Sequence, residues 1–157
     1  MRFTGERLLQ ADIEHVWAGL HDDEVLRAAI PGCEALVPLA PGRYAATLAA
    51  RVGPMADTYR GDFSILDTRP GSQLQVCIGG RGRFGRLEVD LRVSLAERRT
   101  GATVLRYDAR ATVSGLVARV GQATMRVAGG HLTAVFFRDL DRSLRRDVRA
   151  GRVAALV

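Results

Sequence analysis

Cysteine, histidine and tyrosine are the side chains through which this chain could do chemistry, and it holds two, three and three of them. Cys33 follows Pro31-Gly32, where a thiolate could attack an acyl carbon or hold a soft metal. A nucleophilic cysteine needs a base and an oxyanion site beside it, and the local sequence supplies neither. Pro31 biases Ile30 away from helical geometry and Gly32 can take positive φ, so this stretch reads as a helix stop with Cys33 at a tight junction. Cys77 lies too far along the chain to make a CxxC pair or a disulfide scaffold. His15, His21 and His131 show no metal-ligand spacing with each other or with the cysteines. Gly80-Arg81-Gly82-Arg83-Phe84-Gly85 fits G-x-G-x-x-G, but a dinucleotide grip requires a helix to open at the last glycine. An alternating stretch follows instead, which predicts a glycine-rich hairpin. Tyr44, Tyr59 and Tyr107 remain, and phenols in apolar surroundings more often orient a ligand than transfer a proton.

The elements that must position these residues follow from periodicity. Residues 3–10 alternate in part and predict a strand. Asp12 is a natural N-cap for a helix over Ile13–Leu20, with Glu14 favourable in its first turn. Asp22 caps a second short helix whose apolar positions are Val25, Leu26, Ala29 and Ile30. From Arg43 the period becomes two. Alternation over 43–52, 59–65, 74–78, 87–95 and 105–113, with turns at Gly53-Pro54, Pro70-Gly71 and Thr100-Gly101, predicts a curved antiparallel sheet with one wet side. After Gly115 the period turns helical: Val120, Thr124, Ala128, Leu132, Phe136, Leu140, Leu144 and Val148 recur every fourth residue. A helix of about 30 residues can lie across such a sheet, spanning about 45 Å at 1.5 Å per residue.

The inward positions are unexpectedly small. Ala46, Ala50, Gly61, Ala109 and Ala111 share the apolar strand face, and Gly129-Gly130 interrupts the long helix, where each glycine costs about 0.5–1 kcal/mol against alanine. Sheet and helix pack about 10 Å apart when large side chains fill the gap. An enclosed apolar cavity is therefore expected. Its inward strand positions are expected to hold no Asp, Glu, His or Cys, and the three tyrosines are its polar handles. Such a pocket suits an apolar molecule with one or two polar ends.

All 23 basic residues are arginine, against 17 acidic ones, and seven arginines face three aspartates from Gly121 onward. That basic end suits an acidic partner or an anionic lipid surface. The basic stretches lack interleaved aromatics, so no nucleic-acid partner is expected. The N-terminal residues carry no apolar signal core, no run of about 18 apolar residues is present, and a cytoplasmic location is expected, peripheral at the inner membrane face.

Several segments, in order, resemble the CoxG family of carbon monoxide dehydrogenase subunits, within the START-like SRPBCC superfamily. They are Phe3-Thr4-Gly5-Glu6, Val16-Trp17, Ile30-Pro31-Gly32-Cys33-Glu34, Val52-Gly53-Pro54-Met55, Tyr59-Arg60-Gly61, residues 113–121 and Phe136-Phe137. The resemblance implies an α+β helix-grip fold: a curved antiparallel sheet of six to seven strands, two short helices and one long C-terminal helix around an apolar cavity. Residues 1–150 are then one helix-grip domain and 151–157 a short tail. It also implies an accessory role beside a molybdenum hydroxylase, with no covalent cofactor, a bound quinone or lipid-like molecule, and a link to the membrane. Trp17, Leu26, Ile30, Tyr44, Leu48, Tyr59, Phe63, Tyr107, Met125, Gly129, Leu132 and Phe136 are the candidate lining, and no catalytic or metal residue is assigned. Two other readings stay open: a small cyclase or hydratase of the same superfamily, and a docking adapter with a filled interior.

Overall fold

The computed structural model describes residues 1–156, with side-chain placement through Asp147. The chain runs β1 (Arg2–Leu9), α1 (Ile13–Leu20), α2 (Asp23–Ala29), β2 (Cys33–Ala40), β3 (Arg43–Val52), β4 (Met55–Arg69), β5 (Gln73–Gly82), β6 (Gly85–Arg99), β7 (Ala102–Ser114), a 3-10 turn (Leu116–Val120) and α3 (Gln122–Leu156). The seven strands form one antiparallel sheet in the order β1-β7-β6-β5-β4-β3-β2. Six of them are a meander, and β1 returns across the far edge to pair with β7. α3 spans about 52 Å, close to the length of the 15-residue strands β4 and β6. It continues to Leu156, through most of the segment read as a tail. Val157 lies outside the described residues, as does the side chain of Val148 from the helical stripe.

Local sequence sets the short helices. The Asp12 carboxylate accepts the His15 N–H at 2.9 Å, and Asp22 accepts those of Glu24 and Val25 at 2.9 and 3.1 Å. Each cap contributes about 1 kcal/mol. α2 ends at Ile30, in extended geometry at φ −68°, ψ 117°, as a residue before proline should be. Gly32 then takes φ 67°, and a Cβ there would stand 2.0 Å from the Ala49 carbonyl oxygen. The Pro-Gly stop thus delivers the chain straight into β2, a strand that alternation does not assign. Its run Leu36-Val37-Pro38-Leu39 does not alternate, and Pro38 argues against a central strand. β2 is an edge strand, which tolerates that proline.

The core sits at one end of the sheet. Leu9, Val16, Leu20, Val25, Leu74, Val93, Leu95, Leu105, Phe137, Leu140 and Leu144 form one buried cluster joining α1, α2 and the middle of α3 to the sheet. A smaller cluster of Leu26, Leu36 and Tyr44 ties α2 to β2 and β3.

Candidate functional site

Register assigns the two faces of the sheet. Phe3, Tyr107, Ala109 and Ala111 share the concave side with Leu87, Val89, Leu91 and Val93, then Ile78 and Gly80, Phe63, Gly61 and Tyr59, and finally Ala46 and Leu48. Burial is graded along that side. On β6, Leu95 and Val93 are buried, whereas Leu91, Val89 and Leu87 on the same face are only half-buried. The same holds for Val76 and Ile78 beyond Leu74 on β5, and for Ala109, Ala111 and Val113 beyond Leu105 on β7. The end capped by α1 and α2 is packed. Toward the β3-β4 and β5-β6 hairpins the apolar side chains of this side are half-buried.

Glycine and alanine shape the half-buried end of this side. Gly61 pairs with Gly80 and Ala46, and a Cβ at Gly61 would fall 1.8 Å from the Gly79 carbonyl oxygen, so β4 and β5 meet only because no side chain stands there. On α3, a Cβ at Gly129 would lie 2.8 Å from the Phe3 ring, so the helix settles against β1 at this point. Met125, Gly129, Leu132 and Phe136 follow one another at helical spacing of three and four on one face.

The candidate lining divides accordingly. Trp17, Tyr107 and Phe136 pack against the main cluster, with Tyr107 stacked on Phe137 at 5.4 Å and lying over Gly5. Leu26 and Tyr44 belong to the second cluster, with Ile30 and Phe63 against it and Tyr44 stacked on Phe63 at 5.0 Å. Leu48, Tyr59, Met125, Gly129 and Leu132 belong to neither cluster. Of these, Leu48 and Tyr59 are direct cross-strand partners.

The expectation that inward strand positions carry no acid or thiol is corrected by the register. Asp57 pairs with Ala50, and Cys33 pairs with Leu48 and packs on the second cluster. Arg7 also lies on the concave side, its guanidinium 5.7 Å from the Phe137 ring centroid. β4 begins at Met55 rather than Tyr59, so the alternation running back from Tyr59 was the missed signal for Asp57. Cys33 was hidden because β2 starts immediately after the turn.

Neither added group is poised for chemistry. Burial pushes the Cys33 thiol above its ordinary pKa, and its S–H donates to the Ala35 carbonyl at 3.5 Å, so the nucleophilic thiolate is disfavoured. The Phe84 amide holds the Asp57 carboxyl below its ordinary value, helped by Thr58 and by the Arg83 charge. Its two oxygens accept Phe84 N–H at 3.0 Å and Thr58 N–H at 2.8 Å. Asp57 thereby latches β4 to the β5-β6 hairpin. His15 is tied to its own cap residue Asp12, His21 bridges the Trp17 carbonyl and Asp67, and His131 is exposed. Among the described residues no group of three or more His, Cys, Asp or Glu is placed to hold a metal. The glycine-rich segment is the expected hairpin, with Gly82 paired to Gly85.

Two open grooves are formed at the sheet. One, of about 510 Å³, lies around Asp62, Glu88 and Asp90 with Arg43 and Arg110 at its sides. The other, of about 830 Å³, lies where β4 and β5 part near the hairpin tips and brings together Arg51, Arg60, Arg81 and Arg83.

Solved structures share this architecture. A conserved protein from Geobacillus kaustophilus superimposes with a TM-score of 0.88 at 24% identity, over 93% of this chain and 96% of that one. A START superfamily protein from Mycobacterium smegmatis gives 0.73 at 12% identity, over 92% and 97%. The Zhui aromatase/cyclase from Streptomyces sp. R1128 gives 0.70 at 13% identity, over 96% and 97%. At these identities the likeness establishes the START-like fold. No curated protein sequence matches the chain. Residues 5–145, from the first strand well into α3, match the CoxG family of carbon monoxide dehydrogenase subunits, and the chain belongs to that family.

Proposed function

We propose that this protein is a hydrophobic-ligand-binding accessory protein, holding a quinone or lipid-like molecule for a molybdenum hydroxylase of the carbon monoxide dehydrogenase type. The observation that carries this reading is the burial gradient on the concave side. Leu87, Val89, Leu91 and Ile78 lie on the concave side yet stay half-buried, while Val93 and Leu95 on β6 and Leu74 on β5 are buried further along the same strands. An apolar molecule in that trough would remove their remaining surface from water at about 25 cal/mol per Å². The family membership supports the accessory role and the oxidoreductase partner.

The trough's chemistry favours holding over turnover. Catalysis of a cyclase or hydratase kind needs an acid or base free to exchange a proton. Asp57 is committed to two amides, Cys33 is held as a thiol, and burial raises the Tyr59 phenol above its ordinary pKa, with the nearby Asp57 charge adding to it. A docking adapter with a filled interior would bury the β6 face along its whole length.

No described helix is long and apolar enough to cross a membrane. A membrane link would therefore be peripheral, and the exposed Arg142, Arg145 and Arg146 near the end of α3 support one. Arg149 and Arg152 of that basic stretch lie outside the residues whose side chains are described.

Organic extraction of the natively purified protein, with mass spectrometry and ultraviolet absorbance of the extract, tests the ligand. A stoichiometric quinone or lipid is expected. Its repeated absence, together with failure to take up added quinone or lipid, would overturn the reading. Co-sedimentation with vesicles containing anionic lipid tests the membrane link.

A further inference from the structure

The convex side of the sheet carries its charges in two different arrangements. On β6, β7 and β1 arginines stand opposite acids: Arg92 opposite Asp108, Arg110 opposite Asp90 and Arg106 opposite Glu6. Arg2, which also faces Arg110, is held by the Asp108 carboxylate at 2.9 Å. Opposite charges placed this way stabilise a sheet. Toward the β5-β6 hairpin the pattern breaks. Arg60 stands opposite Arg81, and Arg81 opposite Arg86, in successive cross-strand pairs. Like charges directly opposite one another are destabilising. Arg51 and Arg83 join Arg60 and Arg81 in lining the groove beside this row, and all five arginines are exposed. Among the described residues none of the five forms a salt bridge.

Asp57 is the one carboxylate lining the groove, and its oxygens already accept the Thr58 and Phe84 N–H groups. It stands where a Cβ of Gly82 would be and closes the depression toward the concave side. The groove therefore opens on the convex side alone, over the short side chains of Ala49, Ala56 and Thr58. Neighbouring strands lie about 4.8 Å apart, so the Arg60, Arg81 and Arg86 positions span about 10 Å. Two or three carboxylates along one strand or one helical turn match that span, and guanidinium groups hold carboxylates through paired charge-assisted hydrogen bonds.

The next row decides what kind of anion fits. Asp62 and Glu88 sit two residues along the same face, and Asp90 follows Glu88. A membrane is a continuous anionic plane and would press against these carboxylates as well. A protein sets its acidic side chains down one at a time and can meet the arginine row alone. The row also lies away from the α3 end to which the membrane link is assigned above. Thr124, near the start of α3, approaches Gly53 at the β3-β4 hairpin, and Arg142 and Arg146 follow about 30 Å further along the helix.

We propose that the convex row Arg60, Arg81 and Arg86, with Arg51 and Arg83 beside it, is a docking surface for an acidic segment of a partner protein. This surface is independent of what the concave side holds.

Fluorescence anisotropy with fluorescein-labelled decaglutamate as the probe tests it. The wild-type protein should bind the peptide at low ionic strength and release it as salt rises, because exposed charges are then screened. Arg60→Gln/Arg81→Gln should weaken binding at least about 5-fold, or about 1 kcal/mol. The control Arg98→Gln/Arg99→Gln, at the opposite hairpin end, changes net charge equally and should stay within about 2-fold. Because the row repels itself, the melting temperature of Arg60→Gln/Arg81→Gln should be unchanged or higher, and its uptake of added quinone or lipid should match the wild type. No peptide binding by the wild-type protein would overturn the proposal. Equal weakening in both variants would overturn the placement. A lower melting temperature in Arg60→Gln/Arg81→Gln would overturn the premise that these arginines lack partners within the chain. Inorganic phosphate that displaces the peptide at equal concentration would make this a free-anion site. Loss of co-sedimentation with anionic vesicles in Arg60→Gln/Arg81→Gln, with peptide binding intact, would make it a lipid contact. Either of those results would overturn the protein partner.

Discussion

Tyr44 loses its water to Leu26, Leu36 and Phe63, and with Asp23 nearby adding to the effect of burial its pKa is pushed up to about 12. An unfolded tyrosine titrates near 10. The native state therefore holds the phenolic proton more tightly, and the stability this represents is complete below about pH 10. It should be lost progressively as pH rises from 10 through 12. Denaturant unfolding at a series of alkaline pH values should show that decline, and Tyr44→Phe should flatten it. A wild-type stability unchanged between pH 10 and 12 would contradict the assignment. Cys33 makes the opposite case, a reactive residue type in an unreactive place. Cys33→Ala removes one half-buried sulfur and one weak hydrogen bond, so it should cost under about 1.5 kcal/mol and leave uptake of added quinone or lipid within 2-fold. A large binding loss would return the thiol to consideration as a functional group.

At the scale of elements, α3 carries two adjacent glycines whose roles differ. Gly130 faces open space, so Gly130→Ala should raise stability by about 0.5–1 kcal/mol through helix propensity alone. Gly129→Ala gains the same propensity but drives a methyl group into the Phe3 ring, which must shift or push α3 away from β1. Thermal melting should separate them, with Gly130→Ala the higher; reversed order would mean the Phe3 contact is not what sets the helix against the sheet. Sequence spacing made these elements legible wherever one face of a strand or helix is wet. β6 and β7, with their clean alternation, and the capped α1 and α2 could be placed within a few residues. Legibility failed where burial stops being periodic: β2, with its proline and its exposed Val37 and Leu39, and the start of β4 beneath the Gly53-Pro54 turn. Asp57 was lost with that start. The arginine groove was hidden for a different reason, because cross-strand neighbours 21 and 5 residues apart are joined only by register.

Taken whole, the molecule is a sheet whose concave side is buried at one end and half-buried at the other, and a filling substitution distinguishes a trough from an ordinary core. Ala111 lies half-buried beside Val89 in the open part. In a close-packed interior, Ala111→Phe would cost about 1–3 kcal/mol by overpacking. In an underfilled trough it should leave the melting temperature nearly unchanged, or raise it, while reducing uptake of added quinone or lipid at least about 10-fold. A marked loss of stability with no preceding loss of uptake would indicate that the space is not there. The sheet also never closes on itself, and β2 is left as one free border. Val37 and Leu39, 52% and 54% exposed there, are the kind of residues that recruit another chain's strand, and Pro38 between them lacks the amide hydrogen such recruitment needs. The residue that obscured the strand in the sequence thus bears on colloidal behaviour: Pro38→Thr should leave the monomer folded yet make it self-associate as concentration rises, a change that light scattering would register.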